Sequence, residues 1–190
     1  MANSNTQGFG LIAAGTLGST PATSGQGKYK IDANYATTIY SGAAVASLAG
    51  YIVEGQGSDT PVLGVLNGIF YNAATTLKPT WSNHYVQVTP ANSEDITAFV
   101  FDNPQQQYVV ATDDTVAQAG FLETYDMNTT AGSTTTGKSS ATLDIDDTSA
   151  DAATWRLLRL AEDPSNSDMT AIYTSVVVVR SEERRVGKEC

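Results

Sequence analysis

Residues 132–139, GSTTTGKS, are the stretch of this chain whose residue types and spacing most directly suggest chemistry. They fit the pattern G-x-x-x-x-G-K-[ST], in which backbone N–H groups and the lysine hold phosphates while the hydroxyl binds Mg²⁺. That pattern needs a helix directly after it, and the following residues, SATLDIDD, are poor in helix formers. No alternation of strands and helices surrounds it either. The sequence therefore favours an ordinary loop, with nucleotide binding as an alternative.

A second candidate site is the acidic stretch that follows this loop. Asp144 and Asp146 have the first spacing of an EF-hand calcium loop. The pattern then fails, because Ser149 stands where that loop needs glycine and Trp155 where it needs glutamate. A solvated loop is favoured, and an irregular calcium site within Asp144–Asp151 stays open, since oxygen-rich loops bind this ion freely.

The residues that serve many enzymes and transition-metal sites are nearly absent. His84 is the single histidine and Cys190 the single cysteine, so neither a histidine-dependent triad nor a transition-metal cluster is predicted. Paired carboxylates that meet in the fold would suit glycoside hydrolysis, but nothing in the sequence favours such a pair. We predict no catalytic residue, no cofactor and no metal ligand, and a protein that is not an enzyme.

Composition and charge narrow the possible partners. The 190 residues suit one domain, and 41% hydrophobic content is enough for a real core. The formal net charge of −10 argues against binding a nucleic-acid backbone. No run of about 18 apolar residues exists, so no transmembrane helix is predicted. The start, MANSNTQGFGLIAAGT, lacks the features of a secretory signal, which predicts synthesis in the cytoplasm.

Short β-branched and aromatic runs separated by glycine and polar turns predict an all-β fold, a single β-sandwich or barrel-like domain. At its centre we expect a hairpin of Ile96–Phe101 and Tyr108–Ala111, joined by the polar break Asp102–Gln107. A short helical turn is expected at Asp114–Ala119. The other expected strands are Tyr35–Tyr40, Ala43–Val45, Gly50–Glu54, Val62–Leu66, Ile69–Tyr71, Phe121–Met127, Trp155–Ala161 and Ile172–Val179.

Two segments are expected outside this β core. Residues 1–27 are rich in Gly, Ser, Thr and Asn, and they predict an extended arm before a β domain at residues 28–179. The arm is either disordered or ordered on a neighbouring subunit. Asn72–Pro90 is the longest expected loop, and its Trp81, His84 and Tyr85 are candidates for an exposed binding loop.

The last residues, 180–190, differ sharply from everything before them. RSEERRVGKEC resembles the translation of a common short-read sequencing adapter, codon for codon. The resemblance implies a non-native tail and an environmental sequence read, so Cys190 is not expected to be a functional thiol. Without the tail's four basic and three acidic residues, the charge changes from −10 to −11.

Several segments in their order resemble structural proteins encoded beside the capsid gene of marine tailed bacteriophages. They are FVFDNPQQQYVVATDD, TTGKSSATLDIDD and WRLLRLAEDPSNS before a valine-rich last strand, with weaker likeness in YIVEG and VLGVLNGIFYNA. The resemblance implies a head decoration or minor capsid protein of the virion. It also implies that GSTTTGKS is an ordinary loop before a strand. The chain lacks the long helix and the length of a major capsid protein, which favours an accessory role.

This resemblance implies a protein that binds the outside of the shell and clamps neighbouring copies of the major capsid protein. We expect a homo-oligomer at a local symmetry axis, with a trimer as the first guess. Phe9, Leu11 and Ile12 of the arm are the candidate capsid contacts. The alternative is a head fibre or carbohydrate-binding virion module that uses the Trp81–Tyr85 loop.

Overall fold

The fold is built almost entirely of short antiparallel strands. A computed structural model of the chain describes residues 2–18, 25–55, 61–91, 94–146 and 154–181. Its strands are β1 (Ile12–Thr16), β2 (Gly27–Ile31), β3 (Ala44–Leu48), β4 (Tyr51–Glu54), β5 (Val62–Asn72), β6 (Pro79–Ser82), β7 (Ile96–Phe101), β8 (Gln106–Ala111), β9 (Thr124–Asn128), β10 (Thr142–Asp144), β11 (Trp155–Leu160) and β12 (Ser175–Arg180).

These strands form two sheets that pack into a β-sandwich, which confirms the predicted fold class. Sheet A has the order β1-β8-β12-β11-β9-β10. Sheet B has the order β2-β7-β5-β3-β4, and β6 adds to β5. Strands β2 and β4, at the two ends of that order, lie in contact, so sheet B curls around its own interior. The helical turn expected at Asp114–Ala119 is a single 3₁₀ turn, Gln118–Gly120.

The interior face of sheet B and part of its outer face are buried, each in a different core. One core, the inter-sheet core, joins side chains of both sheets, with Val65 of β5 packed among Tyr108, Trp155 and Val176 of sheet A. The other, the sheet-B core, is lined by the strands and loops of that sheet alone and contains Leu66, the next residue of β5. Successive side chains of a strand point to opposite faces, so a strand between two cores needs apolar residues at successive positions.

The central hairpin expected from the sequence is wrong, although both of its strands exist. β7 lies in sheet B and β8 in sheet A, so the chain crosses between the sheets at Asp102–Gln105. The inward residues of β7 enter the sheet-B core, whereas Tyr108 of β8 enters the inter-sheet core. Tyr108 then ties the sheets together, because its hydroxyl donates to the Phe101 carbonyl at 2.9 Å. Local pattern specifies each strand but not its partner.

The predicted boundary at residue 27 also needs correction, because the described part of the arm packs on the domain. Residues 12–16 form β1, an edge strand paired with β8, and Leu11 belongs to the inter-sheet core. The amides of Asn3 and Asn5 donate to backbone carbonyls of the loop before β12, including Ile172 and Tyr173. A segment with few apolar residues is thus held by strand pairing and amide hydrogen bonds, which composition does not reveal.

Other expected strands differ from the observed ones in their limits. β11 and β12 lie where the strands Trp155–Ala161 and Ile172–Val179 were expected, and β12 begins three residues later than predicted, at Ser175. The two runs expected at residues 62–66 and 69–71 form one long strand, β5, with an irregularity between Leu66 and Gly68. The run at residues 35–40 contributes only an isolated bridge at Ile39. No helix in the described part of the chain is long and apolar enough to cross a membrane.

Candidate functional site

The three residues predicted to share an exposed binding loop do not share a surface. Trp81 lies on β6 with 52% of its side chain exposed, and His84 follows the strand in a half-buried position. Tyr85 is fully buried in the sheet-B core, so its place in an exposed loop is wrong. The reason is a backbone bridge in which Tyr85 and Ile39 exchange N–H···O bonds of 2.8 and 3.0 Å, which draws the tyrosine inward.

Burial makes the Tyr85 hydroxyl a weaker acid. Its hydroxyl donates to the Tyr35 carbonyl, and its ring lies 6.0 Å from the Tyr35 ring. Loss of hydration raises the pKa of Tyr85 to about 12, with a smaller contribution from the nearby Asp32 charge. The hydroxyl therefore acts as a structural donor to the backbone, not as part of a binding surface.

This pKa predicts a loss of stability in alkali. An unfolded tyrosine loses its proton near pH 10, whereas folded Tyr85 keeps it to about pH 12, so the unfolded state is favoured as pH rises between these values. Tyr85→Phe is expected to make the fall in unfolding free energy over that range shallower. At neutral pH the variant should lose about 1 kcal/mol with its hydrogen bond. Urea unfolding at several pH values checks both effects, and an unchanged alkaline slope contradicts the assignment.

His84 supports the neighbouring GSTTTGKS loop. Its ring stacks on Tyr40 with centroids 6.1 Å apart, and Nδ1 lies 2.8 Å from Oδ1 of Asn83. Asn83 in turn donates to the Thr136 carbonyl at 2.8 Å. Gly137 adopts a φ of +70° directly against this pair, where a Cβ would lie 2.5 Å from His84 Nδ1. His84 thus contacts the loop that the sequence singled out for phosphate binding.

The geometry of that loop does not fit a phosphate-binding loop. The N–H groups of Ser133 and Gly137 bond across a tight turn, to the Lys138 and Ser133 carbonyls. Those of Thr136 and Lys138 point to loop hydroxyls, while that of Ser139 donates to Ser41 at 2.9 Å. These five N–H groups therefore bond within the protein, where a phosphate-binding loop would turn such groups toward phosphates. The element that follows is strand β10 rather than a helix, as the sequence context suggested.

The candidate calcium stretch is only partly described. Asp144 lies on β10 and Asp146 is exposed after it, while Asp147 and Asp151 lie outside the described residues. Across the described ranges, no group of three or more His, Cys, Asp or Glu side chains is placed to hold a metal ion. Asp113 instead accepts a hydrogen bond from the Ile145 N–H at 2.9 Å, which fixes the chain after β10.

An exposed aromatic cluster that sequence reasoning missed lies around Trp81. We call Phe70, Trp81 and Phe99 the aromatic platform. Phe70 and Trp81 are directly paired across β5 and β6, and the rings of Trp81 and Phe99 are 5.3 Å apart. Lys28 of β2 extends the cluster, with its ammonium 5.8 Å from the Phe99 centroid. The aromatic residues are far apart in sequence, so only the pairing of the strands reveals the surface.

The candidate capsid contacts separate into core and surface. Leu11 is 2% exposed and packs in the inter-sheet core, so its prediction as a contact is corrected. Ile12 is 53% exposed and Phe9 is half-buried. Both line an open groove of about 420 Å³ on the outer side of sheet A. The other residues that line this groove are Asn5, Val109, Ala161, Asp163 and Ser175.

Comparison of the chain with known protein families, with curated proteins and with solved structures finds no match.

Proposed function

We propose that the protein is a non-catalytic structural protein of a tailed-phage virion, which binds the outside of the capsid shell as a decoration protein. The segment resemblance to proteins encoded beside the capsid gene supports this function, and the β-sandwich is compatible with it. The observation that carries the proposal is the surface formed by β1 and the groove beside it, where Ile12 is exposed.

The N-terminal part of this surface differs from the rest of the chain in its lack of charge, and Asp163 of the groove is the acidic residue beside it. Residues 2–27 contain no Asp, Glu, Lys or Arg, in a chain whose net charge is −10. Exposed edge strands of monomeric proteins are commonly protected by charges, prolines or covering loops. β1, with the sequence IAAGT, carries no charge or proline and leaves Ile12 open to solvent. Such an edge suits attachment to another protein, by pairing of strands or by apolar packing.

The partner we propose is the major capsid protein. Repeated copies around a local symmetry axis would combine weak individual contacts into stable attachment. We propose a trimer, which sedimentation or mass measurement of the purified protein tests directly. Electron cryomicroscopy of the source virion would locate the protein on the shell, and density on the inner face or in the tail would contradict the proposal.

A charge placed on the β1 surface is expected to abolish attachment. In Ile12→Asp an unpaired carboxylate enters the contact, and burying it is unfavourable, so capsid occupancy should fall at least about tenfold. Co-sedimentation with capsids that lack the protein measures this. Leu48→Asp is the matched control, because Leu48 is 65% exposed and lies on β3 of sheet B, whereas β1 belongs to sheet A. Equal binding by both variants would contradict a role for the β1 surface.

A further inference from the structure

We propose that the aromatic platform and the lysines beside it form a binding site for an acidic oligosaccharide. This site shares no residue with the β1 surface and does not depend on capsid attachment. The register of four strands places its side chains on one face of sheet B. Lys28 pairs with Phe99, and Lys30 pairs with Thr97, which pairs with Phe70. Phe70 in turn pairs with Trp81, so the residues form two adjacent rows across the sheet.

A glycine allows the indole to lie against the sheet. Gly68 pairs with Phe99, and a Cβ at Gly68 would lie 2.5 Å from Cζ2 of Trp81. Any larger residue would have to displace the ring. Trp81 thus lies over the backbone of β5 and beside Phe99, while half of its surface remains exposed. Its position is fixed before any ligand arrives, which lowers the entropy cost of binding.

The size of the platform favours a small ligand over a second protein. Four strands spaced about 4.8 Å apart and two rows about 7 Å apart give an area on the order of 100 Å². A stable protein interface needs about 800 Å² on each partner. Exposed aromatic faces carry partial negative charge and attract the C–H groups of a sugar ring, whose hydroxyls stay in water. The platform has the area and the chemistry for one or two pyranose rings.

The two lysines add a preference for an anion. Lys28 lies over the edge of the platform, and Lys30 donates to the Thr97 hydroxyl at 3.1 Å on the same face. Among the described residues, neither ammonium forms an ion pair with a carboxylate. The chain has twice as many acidic as basic residues, so two neighbouring lysines beside exposed aromatic rings differ from its average charge. A sugar ring on Trp81 and Phe70 would therefore present a neighbouring uronate carboxylate to Lys28.

The two tryptophans of the chain allow a direct test. Trp155 is 1% exposed and Trp81 is 52% exposed, so acrylamide should quench only Trp81. Tetragalacturonate is expected to protect Trp81 from quenching, whereas neutral cellotetraose should protect it much less. Absence of protection by either sugar up to about 10 mM, a concentration that detects even weak binding, would overturn the proposal. Equal protection by both sugars would overturn the acidic preference.

Calorimetry on variants distinguishes the platform from other surfaces. Trp81→Ala should weaken tetragalacturonate binding at least about tenfold. Leu122→Ala, at an exposed residue outside the platform, should leave binding unchanged. The double variant Lys28→Gln, Lys30→Gln should bind acidic and neutral sugars alike, and thermal unfolding confirms that each variant is folded. Unchanged binding by Trp81→Ala would overturn the proposal. It would also be overturned if the wild type formed a dimer that Trp81→Ala abolished, since the platform would then be an interface between two copies of the chain.

Discussion

Trp155→Ala is expected to lower the free energy of unfolding by about 3–5 kcal/mol, the largest loss we expect from a single substitution in this protein. The indole lies on β11 and is 1% exposed in the inter-sheet core. It meets the Tyr108 ring edge to face, with centroids 5.5 Å apart. Tyr108 also bonds to Phe101 of sheet B, so the cavity left by alanine would open next to the contact that joins the sheets.

The second tryptophan supplies the matched control for this prediction. Trp81→Ala removes the same side chain from a position that is 52% exposed, and we expect a loss of about 1 kcal/mol, mainly from its contact with Phe99. Urea unfolding of the wild type and the two variants measures both losses. Circular dichroism is the signal to follow, because it does not require tryptophan emission. Similar losses in the two variants would contradict the assignment of Trp155 to the core.

The fold class was predictable because strand patterns are local. In Ile96–Phe101, apolar and β-branched residues alternate between a buried face and a half-buried one, as a strand in the interior requires. Which strands pair depends on contacts between distant residues, and β7 and β8 show the difference. Both were expected, but their inward faces fit two separate cores, so they lie in different sheets instead of forming a hairpin. Turn residues at 102–105 allow either arrangement.

The candidate sites were less predictable for the same physical reason. Trp81 was expected in an exposed position, and the structure places it there, but its neighbours Phe70 and Phe99 come from other strands. Tyr85 was expected beside it, and its bridge to Ile39 turns it inward instead. A polar flanking sequence therefore predicts that a loop is near solvent, but not which of its side chains are exposed.

The N-terminal segment shows how composition can conceal a folded element. Few apolar residues suggested that residues 2–27 lacked the hydrophobic burial to order themselves. The described part is ordered by other means, because β1 uses the free edge of β8 and the amides of Asn3 and Asn5 bond to loop carbonyls. Gly8 permits the close approach, since a Cβ there would lie 2.2 Å from the Ser140 carbonyl oxygen. Within residues 2–18, Leu11 is the large apolar side chain that is buried in the inter-sheet core.

Leu11→Ala is therefore expected to cost about 2–5 kcal/mol, whereas Ile12→Ala should change the free energy of unfolding by about 0.5 kcal/mol or less. The two residues are adjacent and similar in size, but Leu11 is buried in the inter-sheet core and Ile12 faces solvent. Urea unfolding measures both variants, and equal small losses would mean that the segment is a detachable arm.

The burial of Leu11 and the exposure of Ile12 determine how capsid attachment can be tested. Deleting residues 2–27 would remove Leu11 and β1 together with any contact surface, so lost attachment would not distinguish unfolding from a missing contact. Ile12→Asp changes only an exposed side chain and keeps the core intact. If this variant unfolds at the wild-type urea concentration yet no longer sediments with capsids, the loss belongs to the contact and not to the fold.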